Sequence, residues 1–228
     1  MTINWDYPCH PKNDQGKRVQ PVAWLVIHYV GALGDAEQNA YYYGNTPGIG
    51  ASAHYFVDHG PDAGIWGSVP ESRVAGHCGR TDGRYKHPSC RNANSIGIEM
   101  CCHKRADGTW YFDAATVDRT VELARDIMAR YGIDTDHVLR HYDVTGKVCP
   151  APFVQDTAAW EVFKARLDEP GEEEMKIYNY VKDMPEWAQE AATKAIAAGI
   201  IKMDAAGAVN VYECNLQPLV WMDRAGLI

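Results

Sequence analysis

No stretch of this chain approaches the ~20 consecutive apolar residues that cross a bilayer, so membrane insertion is not expected. The start, MTINWDYPCH, lacks a basic region followed by an apolar one, and no secretory leader is read there. A chain of this kind that works outside a cell would be made in the cytoplasm and released by other means. Positive charge is also scarce. There are 22 Lys and Arg against 30 Asp and Glu, a net charge of −8, which gives nucleic acid or an anionic membrane no bulk attraction. A polyanionic partner would have to be recognised through specific contacts. The cysteines number seven, and an odd count without a leader argues against a disulfide framework. Those other than Cys149 read as small buried residues in a reducing compartment, with a Cys9–Cys90 or Cys78–Cys90 bridge outside the cell left open.

What is present suits one medium domain with a small appendage: 228 residues, 46% of them hydrophobic. The stretch HYDVTGKVCP, from His141 to Pro150, places a histidine and a cysteine eight residues apart, with Lys147 two before Cys149. A third candidate ligand, His28, ends the apolar run VAWLVIHY. Three protein ligands and one open position is the pattern of a catalytic zinc, whereas structural zinc usually takes four. Taken alone, His28 reads as a hydrogen-bonded core histidine; the two downstream ligands reverse that reading.

The remaining segments read as scaffold and cleft. Residues 1–21 form an irregular arm, and 22–30 a strand buried on both faces. Asp35 caps a helix to Tyr43, and SAHYFVD is strand-like. The long loop VAGHCGRTDGRYKHPSCRNAN forms a cleft wall in which His77 stands out. SIGIEMCC is a strand with Gly97, Glu99 and Cys101 on one face. A glutamate there is costly without a partner, so Glu99 is a functional candidate; the competing reading is an edge-strand glutamate facing water. Asp113 to Tyr131 is the clearest helix, ended by Gly132. VLRHYDV is read as a strand carrying His141, and Asp156 as the cap of a helix buried through Trp160, Phe163 and Leu167.

The composition shifts at Asp168. DEPGEEE reads as an acidic linker, 168–174, between a domain at 1–167 and a small helical unit at 175–228. That unit has helices from Pro185 to Gly199 and from Gln217 to Ala225. Trp187 and Trp221 sit among apolar residues and read as core. A core this small is marginal, so docking or a homo-oligomer would help it. Glu172 to Glu174 also precede Met175; a run of GAG codons would resemble a ribosome-binding site, and a separate tail chain begun at Met175 is a further expectation.

These motifs resemble the zinc-dependent N-acetylmuramoyl-L-alanine amidases, which include phage endolysins and cytosolic peptidoglycan-recycling enzymes, with peptidoglycan recognition proteins as relatives. The resemblance covers roughly residues 1–167 and rests on WLVIHY, SAHYFVD, AGHCG, NSIGIE and RHYDVTGKVCP together. It implies an α/β fold, a mixed sheet flanked by helices with Zn2+ at one face. It implies His28, His141 and Cys149 as ligands, Glu99 as the acid–base residue and Lys147 as the oxyanion stabiliser. Relatives with a tyrosine before the SAH histidine use it instead of the glutamate; here that position is Ala53. His77 and Asn94 are substrate-binding candidates, and His54 reads as packing under the site. The implied reaction cuts the amide between N-acetylmuramic acid and L-alanine of bacterial peptidoglycan. The tail resembles the wall-binding units of endolysins, which points to a phage or prophage endolysin, released to the wall through a holin. The alternatives are a muropeptide-recycling amidase and a non-catalytic peptidoglycan receptor.

Overall fold

The structure, a computed structural model, describes residues 1–61, 64–168, 177–212 and 215–228. The expected linker residues 169–174 and Met175 lie outside the described residues. The chain divides into two compact units, Met1–Glu169 and Pro170–Ile228.

In the first unit the chain runs β1 (Ile3–Asn4), β2 (Asp14–Lys17), β3 (Trp24–Tyr29), α1 (Ala36–Asn45), β4 (Tyr55–Val57), β5 (Ile65–Gly67) and β6 (Arg73–Ala75). It continues through β7 (Ser95–Met100), β8 (His103–Lys104), β9 (Trp110–Tyr111), α2 (Ala114–Tyr131), β10 (Val138–Arg140), α3 (His141–Thr145), α4 (Ala151–Gln155) and α5 (Thr157–Asp168). Six strands form one mixed sheet in the order β1-β5-β4-β7-β3-β10. The β4–β5 pair is antiparallel, and the other neighbours are parallel. The N-terminal arm is thus less irregular than its composition suggests: β1 edges the sheet and β2 pairs with β6.

Strand β3 is apolar almost throughout because it lies inside the sheet with both faces covered. One face, with Leu25, Ile27, Ile96 and Ile98, packs under α2 and α5. Helix α2 forms where Asp113 accepts from the Thr116 amide, and it ends where Gly132 takes a left-handed conformation, φ 64°. Its buried stripe runs through Thr116, Thr120, Leu123 and Ile127. Beneath it Glu71 is gripped by the Tyr55 and Tyr131 hydroxyls at 2.7 Å each and by Arg130. The segment expected as a strand through His141 instead ends at Arg140, and His141 opens the short helix α3. The Asp143 carboxylate accepts from the Arg140 amide at 3.0 Å, starting that turn.

In the second unit are β11 (Ile177–Tyr178), α6 (Glu186–Ala197), β12 (Val211–Tyr212) and α7 (Leu216–Arg224), with β11 antiparallel to β12. Its core is alanine-rich: Ala188, Ala191, Ala192 and Ala195 meet Leu216, Leu219 and Val220. The expectation that Trp187 and Trp221 are core is overturned, since they are 55% and 62% exposed. Small residues occupy the inward stripe of α6, so the helices approach closely and the indoles lie outside. No helix among the described residues is long and apolar enough to cross a membrane.

Candidate metal centre

The parallel register of β3 and β7 pairs His28 with Glu99, side by side on the same face. Strand β10 runs on the other side of β3, with Arg140 opposite Ile27, so the next residue, His141, emerges beside the end of β3. The chain then folds back on α3: the Tyr142 amide donates to the Cys149 carbonyl at 2.8 Å. The ligand atoms of His28, His141 and Cys149 come within 4.8 Å of one another, and all three residues are buried. Cys149 Sγ lies 3.7 Å from His28 Nδ1. Glu99 Oε1 lies 3.9 Å from the same nitrogen.

A chain of hydrogen bonds behind His28 fixes which nitrogen faces the cluster. The Ser95 hydroxyl donates to the Arg91 carbonyl at 2.7 Å, so its oxygen is left to accept from His77 Nε2 at 3.0 Å. His77 Nδ1 then accepts from His28 Nε2 at 2.9 Å. That order leaves the lone pair of His28 Nδ1 toward Cys149 and Glu99. Gly97 makes these hydrogen bonds possible, because a Cβ there would sit 2.6 Å from the His77 ring. His54 packs beneath, its Nδ1 accepting from the Gly97 amide at 3.0 Å.

Burial dominates the electrostatics. It pushes His28 well below its ordinary pKa, with the His141, His77 and Lys147 charges adding to the effect. Burial and then Lys147 bring His141 down to about 3. Both imidazoles are therefore neutral, as metal ligation requires. Burial raises Glu99 to about 8, opposed by Lys147. Burial and the Glu99 charge raise Cys149 to about 12, opposed by the Tyr29 amide and Lys147. A cation among these donors would favour the thiolate and the carboxylate. Among the described residues, buried His141 Nδ1 and Glu99 Oε2 have no hydrogen-bond partner. Orphaned polar atoms of this kind call for an ion or water, and a sulfur with two imidazole nitrogens suits a tetrahedral metal with one position open. The residues present fit such an ion.

Above the cluster lies a cleft of about 580 Å³ lined by His77, Arg80, Asn92, His141, Thr145 and Lys147, among others. The structure thus brings together His28, Glu99, His141, Lys147, Cys149 and His77. Asn94 is placed differently. Its oxygen accepts from the Arg91 amide and its nitrogen donates to the Ser89 carbonyl, both within its own turn. Asn92 faces the cleft instead, and holds the Cys78 amide at 2.8 Å. Ser95 and Asn92 escaped the sequence reading. The signal for Ser95 was a polar residue opening a strand otherwise apolar up to Glu99. A second group, His59, His103 and Asp113, also gathers within 4.8 Å. There the carboxylate already accepts from Thr116 twice, from the Gly60 amide and from His103, so it serves as the cap of α2.

The sequence pattern of the family described as N-acetylmuramoyl-L-alanine amidase matches residues 18–152, which include every residue of the cluster. The chain is similar to N-acetylmuramoyl-L-alanine amidase CwlL of Bacillus licheniformis, 37% identical over 160 residues, covering 67% of this chain and 42% of that protein. It is similar to amidase BlyA of Bacillus subtilis strain 168, 34% identical over 171 residues, covering 70% of this chain and 45% of that one. This chain thus spans less than half the length of these curated relatives. Among solved structures it resembles the catalytic domain of XlyA, with TM-score 0.57 and 30% identity over 73% of this chain and 99% of that one. A mutant endolysin from Bacillus subtilis gives TM-score 0.58 and 29% identity with the same coverage. On the matched residues and the shared fold, the chain belongs to the N-acetylmuramoyl-L-alanine amidase family.

Proposed function

We propose that this chain is a peptidoglycan hydrolase that cuts the amide between the lactyl group of N-acetylmuramic acid and L-alanine of the stem peptide. The observation that carries this reading is the gathering of His28, His141 and Cys149 beside Glu99, within a chain of the amidase family. His28, His141 and Cys149 would hold zinc, which supplies Lewis-acid polarisation and a lowered water pKa when bound. Glu99 carries the proton. Its buried, unpartnered Oε2 takes it from the attacking water and returns it to the departing amine of L-alanine. Lys147, on the exposed turn above the cluster, stabilises the negative charge that develops on the carbonyl oxygen. His77 and Ser95 keep His28 in its ligating tautomer, and Asn92 is the cleft amide in place of Asn94.

The second unit is read as a wall-binding module. Its exposed Trp187, Trp221, Tyr180 and Tyr212 offer rings for sugar faces. With the likeness of the first unit to an endolysin, this favours a phage or prophage endolysin that meets the wall after holin-dependent release. Any self-association is assigned to the same unit, with or without a separate chain begun at Met175. An intact-mass spectrum showing a single full-length species would remove the separate chain.

The test is a mass spectrum of fragments released from purified Gram-positive sacculi, with and without a zinc chelator. Free stem peptides beginning with L-alanine are expected only when zinc is available. Glu99→Ala should lower kcat on the order of 10²–10⁴-fold while zinc stays near one per chain. Intact sacculi that retain the protein would instead make it a receptor, and cleavage of soluble muropeptides alone would make it a recycling enzyme.

A further inference from the structure

The loop that walls the cleft carries Cys78 near its start and Cys90 near its end. Both side chains are fully buried, and they share one apolar cluster with Val26 and Val144. The two thiols lie beside each other in that cluster, and the Ser95 hydroxyl is 3.8 Å from Cys78 Sγ. Each backbone is separately pinned: the Cys78 amide to Asn92 Oδ1 at 2.8 Å, the Cys90 amide to His87 Nδ1 at 2.9 Å. Cys9, the other partner considered from the sequence, lies outside that cluster, its amide donating to the Ser68 carbonyl at 2.9 Å. Cys101 lies in a different cluster with Phe56 and Ala53. Two neighbouring buried thiols on anchored backbones are poised to be joined.

The loop they bracket is otherwise fastened without covalent bonds. Arg80 donates to the Thr145 carbonyl at 2.7 Å, and the Lys86 and His87 amides donate to the Val144 carbonyl. Through α3 these contacts hold the cleft wall against the turn that carries His141. Gly79, Arg80, Thr81 and Asp82 from the loop line the cleft.

We propose that Cys78 and Cys90 form an intrachain disulfide when the protein meets an oxidising medium, which clamps the base of the cleft wall. The oxidant is a small-molecule disulfide such as oxidised glutathione. During a transient opening of the loop, one protein thiolate attacks it, releasing one glutathione thiol and leaving a mixed disulfide. The second protein thiolate attacks the protein sulfur of that mixed disulfide and releases the second glutathione. Two protein S–H bonds and the glutathione S–S bond are broken, one protein S–S bond forms, and the two protons end on the two glutathione thiols. The bridge is compatible with reduced thiols during synthesis and a closed loop outside the cell. It does not depend on the hydrolytic reading, because its readout is covalent.

The experiment equilibrates the full-length reduced protein with a glutathione redox buffer, blocks free thiols with iodoacetamide in denaturant, and digests with trypsin without reductant. A linked pair of peptides, residues 74–80 and 87–91, is expected, and it disappears on reduction. It should be absent from Cys78→Ala and from Cys90→Ala. The oxidised protein should unfold higher by on the order of 5–10 °C, a gain that dithiothreitol reverses and that Cys90→Ala lacks. Complete carbamidomethylation of both cysteines after oxidation would overturn the proposal. So would glutathione attached to either one with no linked pair, a result that needs no variant to fold.

Discussion

Strands β3 and β7 carry two unlike surfaces on one pair of backbones. On one side Leu25, Ile27, Ile96 and Ile98 pack under α2 in the main core. On the other, His28 and Glu99 stand opposite each other, with Gly97 under the His77 ring. The ladder is common to both, and alternation alone decides which residues go where. The apolar side stabilises the sheet. The polar side bears a cost, a carboxylate with a buried, unpartnered oxygen, that a structural role does not explain. That division of labour can be broken experimentally.

The largest effect on the apolar side should come from Ile98→Ala, which leaves a cavity at a fully buried site. A loss of about 2–5 kcal/mol in urea unfolding is expected. Zinc per folded chain, measured by elemental mass spectrometry, should not change. A matching fall in zinc would show that the two faces are not separable. On the polar side, Gly97→Ala should push the His77 ring off His28, and zinc affinity by chelator competition should fall on the order of 10–100-fold. Ser95→Ala removes the acceptor for His77 Nε2 and should weaken zinc by a smaller factor, in the lower part of that range, with little change in unfolding midpoint. Equal zinc affinity in all three proteins would remove that chain of hydrogen bonds from the site.

The smallest effect concerns acid. Burial alone would raise the Glu71 pKa, but hydrogen bonds from Arg130, Tyr131 and Tyr55 outweigh it and hold the carboxyl below its ordinary value. The native state then binds fewer protons than the unfolded chain between those two values. Its contribution is complete above the ordinary carboxylate range and is lost as pH falls toward the folded pKa. Glu71→Gln should therefore flatten the decline of the urea midpoint between about pH 5 and pH 3, the range just below the unperturbed glutamate value. An unchanged slope would assign acid sensitivity to other carboxylates.

Much of this arrangement was legible in the sequence. The apolar run ending at His28, the strand bearing Glu99, and the caps Asp35 and Asp113 all follow from local rules of period and capping, and the structure places elements there. His141 was misplaced on a strand because VLRHYDV alternates well enough, while Asp143 bonding back to Arg140 starts a helix that alternation cannot reveal. The tail tryptophans were misread because apolar neighbours suggested a core. Here alanines fill the inward stripe, and nothing in the local pattern says that the smaller residues win. Ser95 and Asn92 were missed because their importance lies in contacts with His77 and Cys78, which only the folded loop creates.

The cluster joins residues far apart in the chain, with His28 and Cys149 separated by 121 positions. A growing chain that has left the ribosome only through β7 owns one ligand and no site. The sheet must close and β10 must join β3 before His141 and Cys149 reach it, and such non-local pairing is slow. Metal uptake would therefore be a late event, open only once the sheet of the first unit has closed. A misfolded copy carries all three donors and yet lacks a common place to hold an ion, so loading would report that the sheet of the first unit is complete.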